Sequence, residues 1–240
     1  MASDGDSIDF GDLSSNKWGI GTASDTTRAV FCGGSDPSHS DDIEFVTIST
    51  AGNVTDFGNL TAGSADASVA SNSKRAVIQG QQSPSNLNQL DVITIQSAGN
   101  AADFADLAVL RHQCFGGSNG DGGIPQEGSF AQRPSVTYMP GTGRVLLVSP
   151  GYDPSPSNNV QDTIELIHIP TQGNSSDFGN LTVARKFANG GGSSLTRAFV
   201  AGGQTPSNID TIDGIEFATQ GIAFDFGNLS AARFSGGAIS

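Results

Sequence analysis

The sequence predicts an all-β fold in which small antiparallel sheets recur along the chain, and three observations carry that prediction. The first is a motif. Asp177-Phe178-Gly179-Asn180-Leu181 returns as Asp9-Phe10-Gly11-Asp12-Leu13, Asp56-Phe57-Gly58-Asn59-Leu60, Asp103-Phe104-Ala105-Asp106-Leu107 and Asp225-Phe226-Gly227-Asn228-Leu229, with successive spacings of 47, 47, 74 and 48 residues. A period of this length marks a repeat architecture. The second is composition: 32 of 240 residues are glycine, 15% are charged and 7% aromatic, which suits short strands joined by tight turns. The third is periodicity. No apolar stripe with helical spacing runs through the chain, whereas two-residue alternation does, as in Ile43-Glu44-Phe45-Val46-Thr47-Ile48.

Within the first unit, Lys17 to Thr22 alternates large and small residues, as a strand crowded near a central axis would. A turn at Ser24 to Thr27 leads to a buried strand, Arg28-Ala29-Val30-Phe31-Cys32, which ends at Gly33-Gly34. A polar loop from Ser35 to Asp42 precedes the alternating strand at Ile43, and after a turn at Ser49 to Asn53 the unit closes on Val54-Thr55-Asp56-Phe57. Four short strands of this kind make one antiparallel, blade-sized sheet.

The second unit repeats the frame with Arg75 to Gly80 and Asp91 to Ile95, and the fourth with Arg197 to Gly203 and Asp213 to Phe217. The third keeps Arg144 to Val148 and Asp162 to Ile167 but inserts residues between Arg111 and Arg144, including the glycine-rich run from Gly116 to Pro125. Long insertions in compact domains are often functional. The units run over about 11–57, 58–104, 105–178 and 179–226, with a partial fifth from 227–240 and 1–10, all in one domain. The closed form of such a chain is a β-propeller of four complete blades, with a reduced fifth where the ends meet. The competing arrangement leaves sheet edges for a partner chain to cover.

Recurrence separates structural residues from candidate sites. Arg28, Arg75, Arg144 and Arg197 open the second strand of every unit, and Phe57, Phe104, Phe178 and Phe226 sit in the closing motif. Such equivalence fits a packing device, with each guanidinium fastening one sheet to the next and each phenylalanine lying between sheets. The sequons at Asn53, Asn59, Asn174, Asn180 and Asn228 mostly recur too, so turn chemistry accounts for them first. Candidate binding residues are instead the variable loop positions Asp36, His39, Asn86, Asn119, Asp121, Gln126, Glu127, Asp153 and Asn158.

Several functions are disfavoured. A net charge of −13 without a basic cluster argues against nucleic acid as a partner. No apolar run reaches the roughly 18 residues of a membrane span, and the first residues lack the basic and apolar regions of a secretory signal. Cys32 and Cys114 fall at different places in the repeat, so they read as small core residues. His39, His112 and His168 have no metal-ligand spacing, and neither Asp4-Gly5-Asp6 nor Asn119-Gly120-Asp121 continues into a full calcium loop, so no metal or cofactor is expected. There is no G-x-S-x-G nucleophile elbow.

Laid out in this way, the unit resembles the kelch repeat: Arg185, Phe199-Val200-Ala201-Gly202-Gly203, Ile215-Glu216-Phe217 and Phe226-Gly227-Asn228-Leu229 match its stations in turn. Phenylalanine stands where kelch repeats close on tryptophan, and two of four glycine doublets are broken. The resemblance implies a small kelch-type β-propeller. The spelling of the closing motif, with the Thr-Arg-Ala-Val-Phe segment at Thr27 to Phe31, also resembles repeat proteins of marine and cyanobacterial tailed bacteriophages. That implies a non-enzymatic virion protein, a tail fibre or a peripheral decoration, whose partners are other virion proteins, copies of itself, or a host-surface glycan or receptor. Two alternatives are a glycan-processing enzyme on the same fold, such as a sialidase-like hydrolase, and a scaffold binding only particle proteins.

Overall fold

A computed structural model describes residues 7–72, 74–79, 82–83, 85–111, 113–119, 144–148, 160–188, 190–194 and 196–234. Among these residues there is no helix, and the strands form four antiparallel sheets of four strands each. Sheet one contains β1 (Gly21–Ser24), β2 (Arg28–Cys32), β3 (Asp42–Thr47) and β4 (Thr55–Asn59). Sheet two begins with β5 (Ser68–Ser71) and β6 (Arg75–Gln79), makes a small hairpin of β7 (Gln82–Ser83) and β8 (Ser85–Asn86), and ends with β9 (Gln89–Thr94) and β10 (Ala102–Asp106). Sheet three comprises β11 (Phe115–Ser118), β12 (Arg144–Val148), β13 (Gln161–His168) and β14 (Ser176–Arg185). Sheet four has β15 (Gly190–Ser193), β16 (Arg197–Ala201), the hairpin β17 (Gln204–Thr205) and β18 (Ser207–Asn208), then β19 (Thr211–Glu216) and β20 (Phe224–Asn228).

The recurrent phenylalanine is a β-bulge. In sheet one Ile43 lies opposite Gly58 and Glu44 opposite Asp56, so Phe57 is the extra residue; Phe104, Phe178 and Phe226 occupy the same place in their sheets. A bulge bends the strand and re-aims a side chain. Phe57, Phe104 and Phe178 are turned into the gap before the next sheet, where each is 3% exposed. The glycine after the bulge is needed for close approach. Gly58 has φ +145°, and a Cβ there would strike the Gly99 carbonyl of sheet two.

The cores lie between sheets rather than within one. Val30, Cys32 and Phe57 of sheet one cluster with Ala76, Ile78 and Ile93 of sheet two and with Ile95, which follows β9. Phe104 of sheet two meets Ile167 of sheet three and the adjoining Ile169, while Phe178 of sheet three meets Val200 and Ile215 of sheet four and the adjoining Phe217. The first strands lie side by side, β1 against β5, β5 against β11 and β11 against β15.

Each junction is also tied by backbone bonds. Gly99 and Ala101 donate to the carbonyls of Phe57 and Asn59, and Gly221 and Ala223 do the same to Phe178 and Asn180. Asn53, Asn100 and Asn174 side chains accept from the amides of Asp12, Asn59 and Asp106, which is a turn role for these asparagines. The stretch from Lys17 to Thr22 is not one strand. Lys17 is held in ion pairs and Gly19 is left-handed (φ +67°), so the chain is still turning there and β1 starts at Gly21.

Candidate functional site

The first strands of all four sheets line one cavity of about 420 Å³. Its wall is made by small residues, including Thr22, Ser68, Gly116, Gly191 and Ser193, because neighbouring first strands approach too closely for larger ones. Added Cβ atoms at Gly116 and Gly191 would strike Gln79 and Phe115.

At the lip of this cavity the repeat symmetry breaks. Two residues after each Lys17-equivalent position the backbone is left-handed, at Gly19 (φ +67°), Asp66 (φ 56°), Gln113 (φ 55°) and Phe187 (φ 58°). One conformation thus carries four different side chains. Left-handed backbone in a residue other than glycine costs energy and gathers at functional places. Asp66 donates its amide to the Gly19 carbonyl (2.8 Å) and Gln113 donates to the Asp66 carbonyl (3.2 Å), so these three positions are stitched into an arc.

Gln113 Nε2 donates to Asp66 Oδ2 at 3.1 Å, which fixes the orientation of the amide. Its Oε1 is then buried with no hydrogen-bond partner among the described residues. A buried acceptor left in this way is costly unless a ligand or water supplies a donor. Both groups at the lip accept, so the site favours a ligand that donates. Trp18, just before Gly19 in the chain, is 59% exposed.

Behind the lip stands a repeated latch, fully buried at its two arginine pairs. Arg111 pairs with Glu165, Arg185 with Asp213, and Lys17 with Asp42 (2.9 Å) and Glu44 (3.5 Å). In sheet two Ser64 replaces the cation, and Asp91 accepts from Thr61 and Gln89 instead. Each latch joins the segment leading into a sheet to the third strand of that sheet. Burial pulls the Arg185 guanidinium below its ordinary pKa, and Asp213 opposes that fall. The regular spacing of Lys17, Arg111 and Arg185, each four residues after a motif leucine, was the sequence signal for these pairs; Arg233 holds the same spacing.

Of the recurrent arginines, Arg28 and Arg75 reach the next sheet and Arg197 lies on the surface of its own. Arg28 donates to the Ile95 carbonyl (3.2 Å) and Arg75 to the Ile169 carbonyl (3.3 Å), whereas Arg197 pairs with Glu216 of its own sheet (3.0 Å). Arg144 opens β12.

Four of the candidate loop residues lie among the described ones. Asp36 is exposed in a turn, His39 is half-buried and bridges to Ser35, Asn119 is buried at the end of β11, and Asn86 lies in β8. Asp121, Gln126, Glu127, Asp153 and Asn158 lie outside the described residues. Among the described residues no group of three or more His, Cys, Asp or Glu is placed to hold a metal. Burial pushes the Cys114 thiol beside the cavity up to about 12, with Arg111 opposing and Glu165 adding to the rise, so it is protonated at neutral pH. The chain matches no protein-family model and no curated protein.

Proposed function

We propose that this chain is a kelch-type β-propeller of four complete blades and a partial fifth, acting as a non-enzymatic binding protein whose ligand sits at the cavity lip. The observation that carries the binding role is the Asp66–Gln113 pair, where a fourfold repeat departs from itself and leaves an acceptor unsatisfied. The ring arrangement draws support from four first strands lining a single cavity. The ligand class that fits is a neutral or amino sugar of a surface glycan. Its hydroxyls or ammonium donate to Gln113 Oε1 and Asp66, and the net charge of −13 repels polyanions.

Placement in a virion, as a tail fibre or decoration, rests on the sequence resemblance alone. A two-carboxylate glycosidase needs a second acid, and Asp66 is the one carboxylate among the described residues lining the cavity.

The test uses the single tryptophan. Neutral, amino and sialylated oligosaccharides are titrated while Trp18 fluorescence is followed. A neutral or amino sugar is expected to bind, and Asp66→Asn and Gln113→Asn, which tolerate the left-handed backbone, are expected to weaken it without unfolding the chain. Binding that neither substitution alters places the site elsewhere, and glycan turnover overturns the non-enzymatic reading. Mass spectrometry of purified particles tests the virion assignment.

A further inference from the structure

We infer that the place between sheet four and sheet one takes a β-hairpin from a protein partner, and that this hairpin brings a carboxylate to Arg233. The inference rests on the ring reading above and goes beyond it, because it assigns an interaction surface and the chemistry of its occupant.

Both flanks of an additional sheet are already set out by the chain. On sheet one, Gly52 and Val54 donate to the carbonyls of Phe10 and Asp12, the same bonds that Gly99 and Ala101 make to Phe57 and Asn59. Residues 10–12 therefore lie where the last strand of a preceding sheet lies. On sheet four, Leu229 donates to Asp210 and Gly203 to the Arg233 carbonyl, as Leu60 donates to Asp41 and Gly34 to Ser64. Arg233 thus stands where the chain turns into a following sheet. Among the described residues no middle strands lie between these flanks.

The two faces beside that place are uncovered halves of the interface seen three times elsewhere. Phe226 is 54% exposed, against 3% for Phe57, Phe104 and Phe178. Ile48 is 45% exposed, whereas Ile95, Ile169 and Phe217 at the same position are buried. A Cβ at Gly227 meets nothing, although the same atom at Gly11, Gly58 or Gly179 would strike a neighbouring glycine carbonyl.

Charge specifies the occupant further. Arg233 Nε donates to the Ala231 carbonyl (3.3 Å), the local bond that Arg111 makes to Val109 and Arg185 to Val183. Those two arginines meet Glu165 and Asp213, acids on the third strand of the sheet that follows. Among the described residues Arg233 has no carboxylate partner, and no guanidinium reaches the Ile48 carbonyl as Arg28 and Arg75 reach Ile95 and Ile169. An occupant that copies the repeat supplies both: an arginine on its first strand for Ile48, an acid on its second for Arg233, and apolar faces for Phe226 and Ile48. A whole second copy fits less well than one hairpin, since four sheets would have to enter the place of one.

A peptide of residues 28–48 carries this pattern, with Arg28 and Glu44, and is the probe. Titrated into the full chain, it is expected to bind one to one and to shield the Ile48 and Phe226 side chains, 45% and 54% exposed, from hydroxyl-radical oxidation. Replacing its Glu44 with Gln, or Arg233 of the chain with Met, is expected to weaken binding by about tenfold or more, the loss of one charge-assisted hydrogen bond. No binding at ~1 mM, where even weak association registers, overturns the inference. So does binding that Arg233→Met leaves unchanged. Shielding of the Ile48 and Phe226 side chains without peptide means that the chain fills the place itself, and a dimer abolished by Ile48→Asp means that a second copy does; either result also overturns it. Slow exchange at Gly52 and Val54 separates the two levels: if those amides are unprotected the ring reading fails, and if they are protected while the peptide does not bind, only the hairpin fails.

Discussion

Arg185 and Asp213 form an ion pair in which neither side chain has any solvent exposure, and each has further partners. The guanidinium donates to the carbonyls of Val183, Gly202 and Thr211, while the carboxylate accepts from the Thr182 amide and hydroxyl. The pair therefore ties the segment leading into sheet four to the strand β19. Breaking a buried pair by removing one partner strands a charge in low dielectric and costs about 3–5 kcal/mol. Arg185→Met is expected to destabilise the chain by that order in urea denaturation. The double variant Arg185→Met/Asp213→Leu should recover part of the loss, limited by the donors of Thr182 that it leaves unpaired.

Position in the repeat should separate chemically identical truncations. Phe178→Ala opens a cavity between sheets three and four and is expected to cost about 3–5 kcal/mol. Phe226 is half-exposed and touches Phe199 edge-on at a centroid distance of 4.6 Å. Its truncation is expected to stay within about 1 kcal/mol, as read from denaturation midpoints at constant slope.

The cysteines should be chemically silent while the chain is folded. Burial pushes both thiols up to about 12, with Asp91 adding to the rise at Cys32. At pH 8 an alkylating reagent is expected to modify neither in the native protein and both in denaturant. Mass spectrometry of the quenched reaction reads the count.

Acid should loosen sheet one first. At Asp25 burial acts to raise the carboxyl pKa, but bonds from Gln96, the Thr27 and Arg28 amides and the Thr27 hydroxyl outweigh it and the net shift is downward. Asp42 is lowered by hydrogen bonds from Lys17 and Ser40. A folded pKa below the unfolded one gives stability that is present above the ordinary value of 3.8 and lost as pH falls through the folded value. The melting temperature is expected to drop below about pH 4, and Asp42→Asn should flatten that drop while lowering the plateau above it.

The sheets were legible in the sequence because each strand carries its own alternation and each unit ends on the same bulge. Arg28-Ala29-Val30-Phe31-Cys32 could be read as a strand without its neighbours, and it is β2. The start of β1 was not legible, since Gly19 turns the chain through a left-handed residue whose need is set by the approach of Asp66 from the next sheet. The lip was hidden for a related reason. Gly19, Asp66, Gln113 and Phe187 share a backbone state and no residue type, so aligning the repeats by composition passes over them. The latches were partly visible in the spacing of Lys17, Arg111 and Arg185, yet their acids lie about 25 to 54 residues away and only the fold brings them together.

The most direct test of the proposed ring is the distance between spin labels on Ile48→Cys and Phe226→Cys, the native thiols being protected by burial. Sheets packed face to face lie ~10 Å apart, so a ring with one place open puts these faces about 20 Å apart, and a continuing stack puts them about 30 Å apart or more. The account predicts the shorter distance, narrowly distributed. A distribution centred at the longer one would contradict it.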